Sequence, residues 1–288
     1  MTHILPASNA AIPVPLPERK KALFLYLLLF SVACVFSYHV ADIRPLVLCE
    51  PEGQKNLLTF LAGMFPPALS WDFLSLIAPS VIETIQIALL GTALAVLIGF
   101  PLGLMATSSL TWSGILHQSS RSQARRVLSY AGYASARTLL NMLRSIPELI
   151  WAFMFVRIVG LGPLPGVLAI GIAYGGMLGK IYAEILESTP PGPLESFQAT
   201  GASEASLVAY GLLPQALPNL MAYTLYRWEC AIRASAILGV VGAGGIGQQI
   251  EISMRMFNFH EVLTLICILG LLVVGVDALS ARVRKALV

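Results

Sequence analysis

Long apolar runs separated by short polar segments dominate the chain. The runs that lack any Asp, Glu, Lys or Arg include 22–41, 84–120, 158–179, 234–250 and 262–276. A helix needs about 20 apolar residues to cross the hydrocarbon core of a bilayer. Lipid also cannot satisfy an open sheet edge, so the spans are expected to be helices. The pattern therefore predicts an all-α integral membrane protein.

Six transmembrane helices are predicted from these runs. Their approximate bounds are 22–41, 79–105, 130–160, 164–186, 217–240 and 259–280. The predicted organisation is a cytoplasmic N-terminal segment 1–21, a retained signal-anchor helix 22–41, an external segment 42–78, a five-helix core 79–280 and a cytoplasmic tail 281–288. Within the external segment, "FPPALSWDFLSLIAPS" predicts a short interfacial helix, with Trp71 near the lipid headgroups.

Composition and charge refine this picture. The 288 residues are 57% hydrophobic and 11% charged, and basic clusters lie at 19–21, 121–126 and 282–285. With six spans all three clusters fall on one side, so the positive-inside rule places both termini on the cytoplasmic side of the membrane. The basic residues are scattered along the membrane pattern, and this distribution does not favour nucleic-acid binding. The four cysteines lack metal-ligand spacing, so no metal site is expected.

One polar segment, "LESFQATGASEASLVAYGLLP" at 194–214, contains two glutamates and no Lys or Arg. Pro193 suits the first turn of a short helix, in which Leu194 and Phe197 share an apolar face. Gly201 is expected to reorient the chain before a second helical segment, which Pro214 should end. An amphipathic loop lying on the bilayer would prefer basic residues on its polar face. The pattern therefore favours a partner protein as the cover for the apolar face.

This segment is similar to the cytoplasmic signature of permeases from binding-protein-dependent ABC importers. That signature reads Glu-Ala-Ala, three residues, Gly, nine residues, then Ile-x-Leu-Pro. The positions that match it are Glu195, Gly201, Leu213 and Pro214. The chain departs from it at Ser196 and Phe197, which replace the alanines, and at Gly211, which replaces the isoleucine. The resemblance identifies 190–214 as an ATPase-coupling loop that includes Glu195, Phe197, Gly201, Leu213 and Pro214.

Other stretches resemble the phosphonate and phosphite importer permeases, including "RSIPELIWAFMFVRIVGLGPLPGVLA" at 144–169 and "YTLYRWECAIRASAILGVVGAGGIGQQI" at 223–250. The resemblance implies an importer permease core that forms a homodimer, with two ATPase subunits below it and an external solute-binding protein above it. In such importers the coupling helix sits in a groove of the ATPase. The chain has no G-x-x-x-x-G-K-[ST] motif. We therefore expect no ATPase site and no bound cofactor here, with ATP and Mg²⁺ on the partner subunits.

Ionisable residues within the spans are candidates for the translocation path, because charges inside a membrane are costly. Glu229 and Arg233 are spaced i, i+4 on one helical face and can pair. They are either an internal ion pair that locks helices together, or a cationic position on the path of an anion that Glu229 tunes. Arg227 lies beside them. Glu148 follows Pro147, which predicts a kink in the third span, while Arg144 is expected at the cytoplasmic interface.

The stretch "GAGGIG" at 242–247 matches G-x-G-x-x-G. The dinucleotide-binding fingerprint requires a preceding strand and a βαβ unit, and neither is expected after a membrane span. A tight turn at the outer mouth suits these residues better. Gly244 and Gly245 are therefore candidates for an outer gate or a binding-protein contact, and helix packing remains the alternative.

These observations predict the membrane subunit of an ATP-driven importer of phosphonate or a related phosphorus oxyanion such as phosphite, working by alternating access. The alternative within the class is an importer of another small solute such as methionine. An ion-coupled secondary transporter would use intramembrane carboxylates and often shows inverted repeats, which are not detected. A membrane enzyme would need a nucleophile or metal site, and the sequence offers neither.

Overall fold

The computed structural model describes residues 17–41, 50–111 and 123–287, and the regular elements in these ranges are helices. The bounds are α1 Pro17–Val40, α2 Pro51–Met64, α3 Trp71–Met105, α4 Ser108–Thr111, α5 Gln123–Ser145, α6 Glu148–Val159, α7 Pro163–Glu187, α8 Gly192–Ala199, α9 Glu204–Ser206, a π-helical segment Leu207–Leu212, α10 Leu213–Val240, α11 Gly245–Arg255 and α12 Phe259–Leu287. The predicted all-α class is confirmed.

Five helical stretches in the described ranges are long and apolar enough to cross a membrane. They are Leu23–Val40, Trp71–Met105, Pro163–Glu187, Leu207–Arg255 and Phe259–Ala286. The third predicted span, 130–160, is absent from this set. It is divided into the more polar α5 and the short apolar α6, which meet at Ile146 and Pro147. The predicted kink at Pro147 is confirmed, and the total of six spans stays a prediction.

The chain divides into two compact units, residues 1–59 and 60–288. In the first unit, the side chains of α1 from Leu23 onward are exposed, which suits a helix surrounded by lipid. The expected interfacial helix over 65–80 is wrong as placed. Its second half forms the first turns of α3, where the Ser70 hydroxyl accepts a hydrogen bond from the Phe73 amide. This N-cap starts the long helix eight residues before the predicted span.

The core of the second unit is built around α3 and α7. A Cβ on Gly99 would lie 2.8 Å from the Gly175 carbonyl oxygen and 2.9 Å from the Gly179 amide nitrogen. The two backbones are therefore in direct contact. Small residues spaced four apart permit this approach between membrane helices. On α7 the glycines at 171, 175 and 179 make this series.

Helix α10 completes the core by packing against α3, α7, α11 and α12. Ile87, Ile170, Leu178, Ile232 and Leu238 are fully buried at these contacts. Apolar side chains on the outer surface, such as Leu89 and Leu97 of α3, are more than half exposed. An apolar exterior around a packed helical core fits a protein in lipid. We call the two ends of this helical core the α8 end and the glycine-turn end (residues 242–245).

Candidate functional site

The predicted coupling loop lies at the α8 end. Helix α8 carries Pro193 in its first turn and ends at Thr200, and Gly201 follows with φ +82°. A left-handed φ favours glycine, so the chain can turn sharply here. The local prediction of a short helix, a glycine turn and a second helical segment is confirmed. Glu195 is exposed on the outer face of α8, and Ser196 lies beside it.

The expectation that Pro214 ends the second segment is wrong. The π-helical segment 207–212 continues directly into α10, and the Leu213 amide donates to the Val208 carbonyl. Pro214 occupies the first turn of α10, where the missing amide hydrogen costs little. The wide π turn before it accommodates the change from π-helical to α-helical hydrogen bonding. The second helical segment, which follows the Gly201 turn, is therefore joined to α10 of the core without a break.

The apolar face of α8 is covered by the same chain. Leu194 and Phe197 are both half-buried, and they pack over Gly211 of the π-helical segment. A Cβ on Gly211 would meet Leu194 Cδ2 at 2.8 Å and Phe197 Cδ1 at 3.5 Å. Part of the cover that was expected from a partner is therefore supplied by the chain itself. Phe197 is larger than the alanine of the signature, and Gly211 is smaller than the isoleucine of the signature. The small Gly211 therefore leaves room for Phe197.

Arg227 lies midway along α10 within a set of tyrosine rings. Its guanidinium carbon is 5.3–5.8 Å from the ring centres of Tyr174, Tyr223 and Tyr226. Its Nε and Nη2 atoms donate to the Tyr223 hydroxyl at 3.0 and 2.8 Å. Cation–π contact stabilises the charge without neutralising it.

Glu229 and Arg233 do not pair with each other. Glu229 is buried and accepts a 2.5 Å hydrogen bond from Arg284 of α12. Arg233 instead lies 3.9 Å from Asp277 of α12 and donates to the Cys230 sulfur. Helix α12 packs along α10 and offers each residue a nearer partner of opposite charge. The ion-pair interpretation was therefore right in kind and wrong in partner.

At the glycine-turn end, Gly244 and Gly245 form the N-terminus of α11. The Gly245 amide donates to Glu83 Oε2, and the Ile246 amide donates to Thr84 Oγ1, both at 2.8 Å. Both glycines have positive φ, and a Cβ on either would collide with Glu83 or Thr84. Two side chains of α3 thus satisfy amides that start α11. The turn joins α3 to α11 at close range.

The structure separates the residues predicted for the translocation path. Arg227 faces α7, whereas Glu229 and Arg233 face α12, and Gly244 and Gly245 lie at the far end of α10. Glu148 begins α6, just beyond the break that follows α5. Arg144 is also displaced from its expected interfacial position, since its backbone lies beside the middle of α7.

Sequence reasoning missed a polar junction at the α8 end. Arg137 of α5 donates from Nη2 to both oxygens of Glu187 at 2.9 and 3.0 Å, and from Nε to the Ala106 carbonyl. Glu187 also accepts from the Ser108 amide at 2.7 Å. This junction joins the ends of α3 and α7 to α5. An arginine in the small-residue stretch "YASARTLL" was the available signal, but its partner is 50 residues away.

Comparison with known proteins settles the family. Residues 119–288 match the family of binding-protein-dependent transport system inner membrane components. The chain belongs to this family. The permease is 37% identical over 246 residues to HtxC of Stutzerimonas stutzeri, which is named for a phosphite transport system, covering 82% of this chain and 80% of that protein.

Further relatives and a solved structure agree with this assignment. The permease is 34% identical to the phosphite transport system permease protein PtxC of Stutzerimonas stutzeri, covering 90% of this chain and 86% of that one. It is 32% identical to the phosphate-import permease protein PhnE of Mycolicibacterium smegmatis, covering 88% of this chain and 44% of that one. Among solved structures, the inward-facing MetNI methionine ABC transporter superposes with a TM-score of 0.65 at 23% identity, covering 76% of this chain and 100% of that one. The last comparison shows the fold alone.

Proposed function

We propose that this permease is the membrane subunit of an ATP-driven importer of phosphite, phosphonate or a closely related phosphorus oxyanion. The observation that carries the proposal is its 37% and 34% identity, over most of both chains, to two permeases named for phosphite transport. The methionine transporter that shares the fold is only 23% identical. The predicted oxyanion substrate is therefore favoured over methionine.

The proposed assembly is a homodimer of this chain with two ATPase subunits and an external solute-binding protein. ATP and Mg²⁺ bind the ATPases, so this chain performs no covalent chemistry. The basic clusters at 19–21, 121–126 and 282–285 support a cytoplasmic location for both termini and for the α8 end. The glycine-turn end then faces the binding protein.

In the proposed mechanism, α8 docks in a groove of the ATPase. Its exposed face offers Pro193, Glu195 and Ser196, while Leu194 and Phe197 hold it against Gly211. Closure of the ATPases moves α8, and the continuous path through the π-helical segment carries that movement into α10. The dimer opens outward, receives the anion from the binding protein and releases it inward. The turn at Gly244 and Gly245 is the proposed outer gate or docking surface.

The test is reconstitution of the permease with its ATPases and binding protein in liposomes. We expect ATP-dependent accumulation of radiolabelled phosphite that competing methylphosphonate reduces and methionine leaves unchanged. An ion gradient without ATP should drive no uptake. Accumulation of methionine, or uptake driven by the gradient alone, would contradict the proposal.

A further inference from the structure

A cavity of about 290 Å³ lies between α5, α7 and α10, and two arginines line it. Its walls are Arg144, Ser145, Met177, Ile181, Tyr223 and Arg227. A water molecule occupies about 30 Å³ of liquid volume, so the space is large enough for a small tetrahedral anion together with several waters. Two helices that are distant in sequence, α5 and α10, thus contribute polar groups to one opening, and α7 contributes apolar side chains.

The cavity lies near the middle of the spanning helices. A Cβ on Gly176 would be 2.8 Å from the Arg144 amide nitrogen, so the end of α5 touches α7 there. Gly176 lies about 20 Å from the start of α7 and Arg227 about 21 Å from the start of α10, at 1.5 Å per residue. Both positions are far from either helix end. The break between α5 and α6 therefore lies at mid-span, and discontinuous helices at that depth commonly form transporter sites.

The two arginines differ in charge balance from three other arginines of the helical core. Arg137, Arg233 and Arg284 each have a carboxylate partner. Within the described ranges, no Asp or Glu oxygen lies within 4 Å of the Arg144 or Arg227 nitrogens. Three tyrosine rings surround the Arg227 guanidinium. Glu148, four residues after Arg144, acts electrostatically on Tyr174 but forms no ion pair with either arginine among the described residues. At this depth, two arginines without an ion-pair partner in the described part of the chain favour an anionic ligand.

The side chains that line the cavity suit an oxyanion. The guanidinium groups present several N–H donors, and planar forks of this kind suit phosphorus oxyanions. The Tyr223 oxygen already accepts from Arg227, which leaves its own hydrogen to donate, and Ser145 provides another hydroxyl. The described lining contains no carboxylate to hold the ammonium group of an amino acid.

From this arrangement we infer that Arg144 and Arg227, with Tyr223 and Ser145, form an anion-binding site within the membrane. The site holds the phosphorus oxyanion after the binding protein releases it and before it reaches the cytoplasm. The inference rests on the proposed function and extends it, because it gives the permease itself a part in selecting the substrate.

The test uses the complete reconstituted transporter and the variants Arg227→Gln, Arg227→Lys and Arg144→Gln. Loss of a hydrogen-bonded charge is expected to lower phosphite uptake about tenfold or more. ATP hydrolysis stimulated by the binding protein should persist, because α8 and the ATPases are unaltered. Arg227→Lys should retain more uptake than Arg227→Gln, since it keeps the charge. The matched control is Arg157→Gln, which removes another arginine stacked on an aromatic ring, that of Phe153.

A second measurement separates binding from assembly. The purified permease–ATPase complex, without binding protein, should bind radiolabelled phosphite at equilibrium, and Arg144→Gln should weaken that binding. If the arginine variants fail to assemble, Tyr223→Phe and Ser145→Ala replace them, and unchanged uptake and binding in both would overturn the site. If the wild type takes up phosphite and the arginine variants take it up equally well, the site is overturned and the proposed function stands. Absence of phosphite and phosphonate uptake by the wild type overturns the proposed function, and the site with it.

Discussion

Phe197 lies against Gly211, with its Cδ1 atom 3.5 Å from the point that a Cβ on Gly211 would occupy. Both residues depart from the signature of the family, one toward larger volume and one toward smaller. Their contact shows that the two departures compensate each other. The signature positions therefore form an internal contact between α8 and the π-helical segment, while Glu195 and Ser196 of α8 remain exposed.

Gly211→Ile, which restores the residue of the signature, should therefore destabilise the α8 end. The new side chain would collide with Leu194 and Phe197, and overpacking of this kind costs about 1–3 kcal/mol. Phe197→Ala should suppress part of the defect, because it frees space into which Leu194 can turn. Thermal unfolding of the purified complex measures both effects. Gly192→Ala is the control, since a Cβ there meets nothing within 4 Å, and equal stability of all variants would contradict the packing argument.

Gly201→Val should impair coupling without preventing insertion into the membrane. The residue has φ +82°, a conformation that a β-branched side chain strains and that asparagine tolerates. Gly201→Asn is therefore the matched variant and should retain most of the uptake. Glu195→Lys alters the exposed face instead and should weaken copurification of the ATPase. Normal uptake by both Gly201→Val and Glu195→Lys would count against docking through α8.

Glu229→Gln should strongly destabilise the permease, because it leaves Arg284 without its buried partner. Breaking such a pair costs about 3–5 kcal/mol, whereas removing both charges costs much less. The double variant Glu229→Gln with Arg284→Gln should recover assembly, measured as monodisperse protein after extraction. Glu229→Gln with Arg233→Gln should show no recovery, since Arg233 pairs with Asp277. Rescue by Arg233→Gln in place of Arg284→Gln would show that the i, i+4 pair forms after all.

Cysteine labelling should establish the orientation. In a variant without native cysteines, a cysteine replacing the exposed Met256 should react with an impermeant reagent from outside the cell. A cysteine replacing the exposed Ser196 of α8 should react only after the membrane is opened. The opposite result would reverse the orientation that the basic clusters indicate.

The sequence alone was sufficient to predict the features that depend on neighbouring residues. Apolar runs predicted the five long apolar helical stretches of the described ranges, and proline and glycine predicted the turns around α8. The signature spacing placed the predicted coupling loop, and its coupling role stays a prediction. These features depend on neighbours within a few residues, so the chain alone determines them.

Contacts between helices were decided only by the tertiary structure. The residue spacing suggested that Glu229 pairs with Arg233, but packing of α12 on α10 brings Arg284 to Glu229 across 55 positions. The same holds for Arg137 with Glu187, and for Arg144 with Arg227 around one cavity. Side-chain partners in a membrane protein depend on which helix faces meet, and that depends on close contacts such as Gly99 against Gly179. No local pattern specifies that geometry, so the candidate anion site appeared only when the helices were assembled.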